Sequence, residues 1–417
     1  MTQPAIIPDR LMARIFTLGK VGALEGGGVC RLALSDEDRA GRDLVCNWMK
    51  ELDLELMTDV IGNTWAIRKG IESGPPVMMG SHIDSVATGG LYDGALGVLA
   101  GLEVIEALND AGIQTRRPVA IGFFTNEEGA RFAPDMMGSG VAQGALDLDE
   151  MLAVTGIDGK TVGSELSRIG YAGAAPVKAI TPHCFLEIHV EQGPVLETEN
   201  TAIGAVTGVQ GISWSEYVIE GTSNHAGTTP ISMRNDAGLV AAQIACETRA
   251  IADEFGPPQV STVGMLDVSP GLVNVVPERA VMTVDLRNTD DSLLKQAEMR
   301  LNQAAEEFAK AQGCSVTRRC LARFAPVEFD SALVDMIADE AAALGHSVKK
   351  MPSGAGHDAQ MFAPNCPTAM IFVPSQGGLS HNIREYTAPA EISAGVDVLM
   401  RVVLNQADVV PRTEQKP

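Results

Sequence analysis

The sequence predicts an α/β fold in which a mostly parallel sheet is interrupted by a smaller α+β module. β-rich runs alternate with helix-like segments in the first half of the chain and again in its tail, whereas residues from about 211 to 326 follow a different pattern. Strands that alternate with helices are typical of a parallel sheet covered by helices. The length of 417 residues also exceeds one ordinary core and favours two domains.

The parallel sheet is predicted from β-rich runs that each end in a polar cluster. There are four such runs: 76–80, 118–125, 184–188 and 368–374. Helix-like segments lie between them, notably 96–111 and 147–154. Because ligands gather at the carboxyl ends of parallel strands, we expect the polar clusters to form one site.

The α+β module is predicted from a change of periodicity. Segments 212–221 and 279–287 alternate apolar and polar residues like half-exposed strands, while 236–255 and 292–311 have helical periodicity. We expect a sheet with one face covered by two helices. Since the parallel-sheet pattern resumes after Pro326, the predicted domains are 1–210 with 327–417, and an inserted domain at 211–326.

Composition excludes several classes of partner. With 45% hydrophobic and 20% charged residues the chain is typical of soluble globular proteins, and its apolar runs are shorter than a membrane span. The formal net charge of -22 argues against binding to nucleic acid. The first residues lack the pattern of a secretory signal, and the seven cysteines form no CxxC pair. We therefore expect a cytoplasmic protein without a disulfide framework.

Three of the seven histidines directly follow strand-like runs, close to acidic residues. A long Gly-rich loop, 80–98, carries His82, Asp84 and Asp93. Two divalent ions that share one carboxylate need about five imidazole and carboxylate ligands. The candidates are His82, Asp93, Glu128, His189 and His381. Each histidine alone is equally well explained as a hydrogen-bonded structural residue, but the combination favours a metal site.

Two further acidic positions suggest supporting roles. Adjacent side chains leave an extended backbone on opposite sides, so if Glu128 binds metal, Glu127 is free to act as general base. Asp84 is placed to accept the second ring N–H of His82 and fix its tautomer. The alternatives are a solvated acidic pair and an Asp that stabilises a turn.

The inserted module carries three polar candidates: His225 in a polar loop, Asn274 and Arg287. Arginine is the preferred two-pronged donor to a substrate carboxylate, and Asn274 could complete the contact. Taken alone, each is also explained as a surface or turn residue.

Six motifs carry a family resemblance. They are GSHIDSVATGGLYDGALGV, FTNEEGARFAPDMMGSG, IHVEQGP, NHAGTTP, SGAGHDAQ and GGLSHNIREYT. They resemble the N-carbamoyl-L-amino-acid hydrolase, β-ureidopropionase and allantoate amidohydrolase group of the di-metal aminoacylase and carboxypeptidase superfamily. The likeness runs in order and spacing from about residue 20 to 405.

The resemblance implies a role for each candidate. His82 and His189 would bind one metal and Glu128 and His381 the other, with Asp93 bridging. Glu127 would be the general base, and His225 would stabilise the oxyanion. Asn274 and Arg287 would hold the substrate carboxylate, while Gln192 and His357 would line the pocket. The resemblance also implies Mn, Co, Ni or Zn as metal, and a homodimer that pairs through the inserted lid and dimerisation domain.

The implied reaction is hydrolysis of the carbamoyl C–N bond of an N-carbamoyl-L-amino acid to amino acid, ammonia and carbon dioxide. Segment 208–214, GVQGISW, resembles the carbamoyl-amino-acid enzymes, because allantoate hydrolases are similar to one another in a Gln where Ile212 stands. Allantoate amidohydrolase, β-ureidopropionase and N-acyl-amino-acid amidase remain alternatives. A non-catalytic binding protein on the same fold is a further alternative, but it predicts loss of the base or of a ligand, and all are present.

Overall fold

The computed structural model describes residues 4–411, which divide into two compact units. The first is discontinuous, with residues up to Thr207 and from Glu328 onward, and the second is the inserted unit Gly208–Val327. The strands are β1 (Glu55–Thr58), β2 (Thr64–Arg68), β3 (Val77–His82), β4 (Val119–Phe124), β5 (Cys184–Val190), β6 (Ile203–Val209), β7 (Gly211–Glu220), β8 (Asn224–His225), β9 (Val260–Ser269), β10 (Val275–Val276), β11 (Arg279–Asn288), β12 (Ser315–Phe324), β13 (Val327–Glu328), β14 (Val348–Ser353) and β15 (Thr368–Val373).

The helices follow the same order along the chain. They are α1 (Pro8–Leu18), α2 (Asp36–Glu51), α3 (Ala95–Asp110), α4 (Met137–Gln143), α5 (Leu148–Ala153), α6 (Val162–Ile169), α7 (Val195–Thr198), α8 (Ala237–Phe255), α9 (Asp291–Ala311), α10 (Ser331–Ala343), α11 (Asp358–Phe362) and α12 (Pro389–Ala407). None of the helices within residues 4–411 combines the length and apolarity needed to cross a membrane.

A nine-stranded sheet organises the first unit. Its order is β1-β2-β4-β3-β5-β15-β6-β13, and β14 pairs with β6. The four central strands β4, β3, β5 and β15 run parallel, while β2 and β6 pair antiparallel with their neighbours. All residues of the four central strands are buried, as expected for parallel strands covered on both faces. This confirms the mostly parallel α/β fold.

Two strands extend further than their apolar patterns indicated. His82 was expected just past a strand, but pairing between β3 and β4 continues to His82 opposite Phe124. His189 likewise lies inside β5, opposite Phe372 of β15. Both imidazoles are buried within the sheet, and the Nδ1 atom of each ring lies within hydrogen-bond distance of a backbone carbonyl oxygen, so these histidines need not lie in a loop.

The inserted unit has an antiparallel sheet of order β12-β7-β11-β9. Burial alternates along β7 and β11, so one face carries the core, to which α8 and α9 contribute. A separate two-stranded ribbon pairs β8 with β10. This is an α+β module with two helices on one sheet, and the ribbon places His225 at a fixed position.

Candidate metal centre

The site lies at the carboxyl ends of the parallel strands of the first unit. His82 and His189 come from β3 and β5, and Glu128 and His381 follow β4 and β15. Asp93 stands in the Gly-rich loop, two residues before the start of α3. Gly94 allows this approach: its φ is +62°, and a Cβ there would lie 2.4 Å from the His82 imidazole.

Two sets of donor atoms share Asp93. Asp93 Oδ1 lies 3.2 Å from His189 Nε2 and 3.5 Å from His82 Nε2. Asp93 Oδ2 lies 3.6 Å from His381 Nε2, which is itself 3.2 Å from Glu128 Oε2. Within each set the donor atoms lie within 4.8 Å of one another.

The hydrogen bonds of the imidazoles test whether cations fit between these donors. His82 Nδ1 is 3.0 Å from the carbonyl oxygen of Asp84, and His189 Nδ1 is 2.9 Å from that of Val190. A carbonyl only accepts, so both Nδ1 atoms carry hydrogen, and in the neutral rings the Nε2 lone pairs face the Asp93 carboxylate. His189 Nε2 also accepts the Gly94 N–H at 3.1 Å, so the lone pair that meets only carboxylates is that of His82. Glu128 Oε1 is also buried, without a hydrogen-bond partner among the described residues. An imidazole nitrogen and carboxylate oxygens that face one another are all acceptors, so a cation between them would satisfy them. Imidazole and carboxylate are ligands that suit divalent metal ions.

The charges around the site also favour bound cations. Burial alone would lower the pKa of His82, but the carboxylates of Glu127 and Asp93 raise it well above its usual value. Burial alone would raise the pKa of Asp93, but His189 and His82 hold it well below its usual value. The hydrogen bond to Glu128 raises the pKa of His381 to about 9. A field that favours imidazolium also attracts metal cations.

Glu127 is buried beside the donor sets. Its Oε2 lies 3.4 Å from His82 Nε2, and burial raises the pKa of Glu127 well above its usual value. The chain bends here after Asn126, whose φ is +57°, so the assumption of an extended backbone was wrong. Glu127 and Glu128 nevertheless face different imidazoles, those of His82 and His381.

Asp84 contacts its neighbours differently from the expected arrangement. The His82 Nδ1–H lies 3.0 Å from the main-chain oxygen of Asp84, whereas the nearer carboxylate oxygen is 4.0 Å away. The carboxylate instead accepts the backbone N–H groups of Glu127 and Glu128, at 3.3 and 3.4 Å. The expected contact is therefore corrected: the Asp84 side chain holds the segment that carries both glutamates.

A cavity of about 110 Å³ opens onto the donor sets. Gln192 and His357 line it, and Gln192 Nε2 donates to Asp93 Oδ2 at 2.9 Å. His357 Nε2 lies 2.9 Å from Ser353 Oγ. Asp135 and Gly356 also line the cavity but were not predicted. Both stand in the quoted motifs, yet neither residue type alone signals a pocket wall.

His225 and Asn274 are neighbours within the inserted unit. His225 pairs with Val275 across the ribbon, and Ala226 N donates to Asn274 O at 2.9 Å. The N–H groups of Gly227 and Thr228 donate to His225 Nδ1, at 3.0 and 3.2 Å. Since Nδ1 accepts, the hydrogen of the neutral imidazole is on Nε2 of this exposed side chain.

Arg287 lies at the other end of the inserted sheet. It stands opposite Ile212 of β7, whereas Arg279 stands opposite Glu220, after which the chain leads to His225. At about 3.4 Å per strand residue, the span from Arg279 to Arg287 is ~27 Å. The Arg287 guanidinium lies 2.8 Å from the carboxylate of Asp285. The inserted unit thus separates Arg287 from the His225 and Asn274 pair.

Known proteins resemble this chain over almost its whole length. The family model described as peptidase family M20/M25/M40 matches residues 78–405. An N-carbamoyl-L-amino-acid amidohydrolase of Rhizobium meliloti is 41% identical, over 96% of this chain and 97% of its own. A ureidoglycolate hydrolase of Arabidopsis thaliana is 33% identical, over 89% of this chain and 80% of its own. The crystal structure of a hydantoinase/carbamoylase family amidase from Burkholderia multivorans has a TM-score of 0.95 and 42% identity, and covers 97% of this chain and 98% of its own.

Proposed function

Because the chain belongs to peptidase family M20/M25/M40, we propose that the site described above hydrolyses N-carbamoyl-L-amino acids. The membership confirms the family resemblance of the six motifs, and the chain is an amidohydrolase of this family. The products would be the free amino acid and carbamic acid, which decomposes to ammonia and carbon dioxide. The observation that carries the proposal is Asp93, shared by two donor sets with the buried Glu127 beside them.

The two donor sets would hold two divalent ions, for which Mn, Co, Ni and Zn are the candidates. Bound there, the ions would polarise the carbamoyl carbonyl and lower the pKa of water. Glu127 would take the proton of the attacking water and transfer it to the nitrogen of the leaving amino acid, which breaks the C–N bond. Its buried carboxyl and raised pKa suit both accepting and donating this proton.

His225 would stabilise the negative charge that develops on the carbamoyl oxygen. The N–H groups of Gly227 and Thr228 fix its tautomer, so Nε2–H is the available donor. Arg287 and Asn274 would bind the substrate carboxylate. The Arg287 guanidinium has several N–H donors, and the substrate would compete with Asp285 for some of them.

We also propose that the protein acts as a homodimer through its inserted unit. Arg287 and Arg279, which stands at the end of β11 from which the chain leads to the His225 and Asn274 pair, are about 27 Å apart along the strand, much more than the length of a small N-carbamoyl amino acid. We infer that one copy of this unit does not place all three on one substrate, and that a second copy supplies the missing residues. The proposed compartment is the cytoplasm, which suits seven free cysteines.

A hydrolysis screen with added Mn²⁺ tests this function. N-carbamoyl-L-α-amino acids should be cleaved faster than N-formyl and N-acyl amino acids, β-ureidopropionate (N-carbamoyl-β-alanine) and allantoate. Ureidoglycolate belongs in the screen because the Arabidopsis relative is named for it, and it is the second candidate substrate. Metal analysis should give about two ions per chain. A protein that binds metal but cleaves none of these compounds would instead fit a non-catalytic binding role.

A further inference from the structure

Glu385 is a buried carboxylate that no step of the proposed reaction uses. It is 5% exposed and lies in the same segment as His381. Its Oε1 accepts the backbone N–H groups of Tyr92 and Asp93, both at 3.1 Å. One carboxylate oxygen of Glu385 therefore links the segment that carries His381 to the backbone of Asp93, the residue whose carboxylate both donor sets share.

The surrounding residues leave room for this contact. A Cβ on Gly90 would lie between 2.2 and 2.4 Å from atoms of the Glu385 side chain, so the contact requires glycine there. Two residues after Asp93 the chain enters α3, and Ala95 N donates to Asp93 O at 2.6 Å. Glu385 thus holds the peptide groups on one side of Asp93, and the first turn of α3 holds those on the other.

We propose that Glu385 is a positioning residue that sets the Asp93 carboxylate between the two metal ions. This inference rests on the proposed di-metal function. Without Glu385, two buried N–H groups would lose their acceptor, and the Tyr92 and Asp93 peptides would rotate to recover one. Such a rotation displaces the Asp93 side chain from both donor sets. Residues that orient ligands in this way typically contribute about 10- to 100-fold to metal affinity.

The test is a titration of metal-free protein with Zn²⁺ in competition with a chelating indicator. Glu385→Ala should weaken at least one of the two ions by about 10- to 100-fold. Glu385→Gln keeps a side-chain oxygen that can accept and should restore part of the affinity. Gly90→Ala should also weaken Zn²⁺, because the added methyl displaces the carboxylate while Glu385 itself remains.

Asp59 offers a matched control in the same unit. It is buried, and its Oδ1 alone accepts the backbone N–H groups of Ile61 and Asn63, at 3.1 and 2.9 Å. Asp59→Ala removes the same pair of backbone contacts in a segment that carries no metal ligand, together with the hydrogen bond that Asn63 Nδ2 donates to Asp59 Oδ2 at 2.9 Å. We expect it to lower the free energy of unfolding and to leave Zn²⁺ affinity unchanged.

The outcomes separate this inference from the proposed function. Glu385→Ala protein that binds two Zn²⁺ ions with wild-type affinity would overturn the positioning role. If that variant does not fold, Glu385→Asp carries the test, since the shorter side chain withdraws the oxygen, and wild-type affinity there would overturn it equally. If the wild-type protein binds no Zn²⁺ in the titration, both the metal centre and this inference are overturned. If the wild-type protein binds two ions but does not hydrolyse N-carbamoyl-L-amino acids, only the proposed substrate is overturned.

Discussion

At the residue scale, Glu127 and Glu128 are adjacent yet meet different imidazoles. Glu127 Oε2 lies 3.4 Å from His82, and Glu128 Oε2 lies 3.2 Å from His381. Since only Glu128 belongs to a donor set with Asp93, the two carboxylates should respond differently to the same substitution.

We expect Glu127→Gln to keep both metal ions and lose about 10²- to 10⁴-fold in kcat, because the amide is nearly isosteric but cannot take a proton. Glu128→Gln should instead weaken metal binding. Metal content and kcat measured on both purified variants would check this division of roles. Equal loss of metal in the two variants would contradict it.

The metal candidates were predictable from the sequence because His, Asp and Glu grouped after strand-like runs are typical of a ligand site. How Asp84 acts was not predictable, since the choice between its main-chain and side-chain oxygens depends on how two loops meet. Glu385 was not assigned, because a buried acceptor for N–H groups almost 300 positions away leaves no local pattern. Contacts of that range are fixed by the fold.

At the element scale, α3 is flanked by two glycines with nearly equal φ. Gly94 before the helix has φ +62°, and Gly112 beyond its end has φ +61°. A Cβ on Gly94 would meet the His82 ring at 2.4 Å, whereas a Cβ on Gly112 would meet nothing within 4 Å. Substitutions at the two positions therefore distinguish the effect of backbone strain from the effect of displacing His82.

Gly94→Ala should reduce metal content and kcat, because the methyl displaces His82. Gly112→Ala should lower the free energy of unfolding by only about 1 kcal/mol, because alanine is strained at a positive φ, and it should keep full activity. Metal analysis, kcat and urea unfolding of both variants would decide. Loss of activity in both would mean that strain, rather than the His82 contact, is responsible.

Helix α2 carries two Arg–Asp pairs of the same spacing in opposite surroundings. Arg42 is fully buried, 2.8 Å from Asp38, and also donates to Gly62 O. Arg39 lies 3.8 Å from Asp43 with both side chains more than half exposed.

Arg42→Ala should lower the free energy of unfolding by about 3 to 5 kcal/mol, because it leaves a buried carboxylate without its cation. Arg39→Ala should change it by less than about 1 kcal/mol. Urea denaturation of the two variants gives the comparison. Similar losses would mean that burial does not set the strength of these pairs.

The elements themselves were largely predictable. The helix expected at 236–255 is Ala237–Phe255, and the strand expected at 279–287 is Arg279–Asn288, because long periodic segments carry strong local signals. The pattern could not reveal the ribbon of β8 and β10, since two-residue strands have no periodicity. The order of strands in the large sheet was equally out of reach, because pairing partners are distant in the chain.

At the scale of the whole molecule, the proposed dimer makes a sharp test possible. If His225 of one copy acts in the site of the other, mixed dimers of Glu127→Gln and His225→Ala contain one complete site. Random exchange of chains between the two inactive proteins should then restore about a quarter of wild-type activity. Activity measured after mixing and reassociation would check this.

A mixture of Glu127→Gln and Glu128→Gln is the control. Both changes lie in the first unit, so each site of a mixed dimer keeps one defect and no activity should return. If chains exchange, as a tag on one variant can establish, and the first mixture stays inactive, each copy uses its own His225.

The position of β15 in the large sheet has a consequence for biosynthesis. β15 lies between β5 and β6, although residues 210–367 separate it from β6, the later of the two along the chain. On the ribosome, β5 and β6 therefore emerge without the strand that pairs with both of them. Their backbone N–H and C=O groups on that side stay unpaired until β15, near the end of the chain, has been translated. Open edges of this kind invite pairing with other nascent chains. Chaperone protection during that interval should thus govern the yield of folded enzyme more strongly than the stability of the finished sheet.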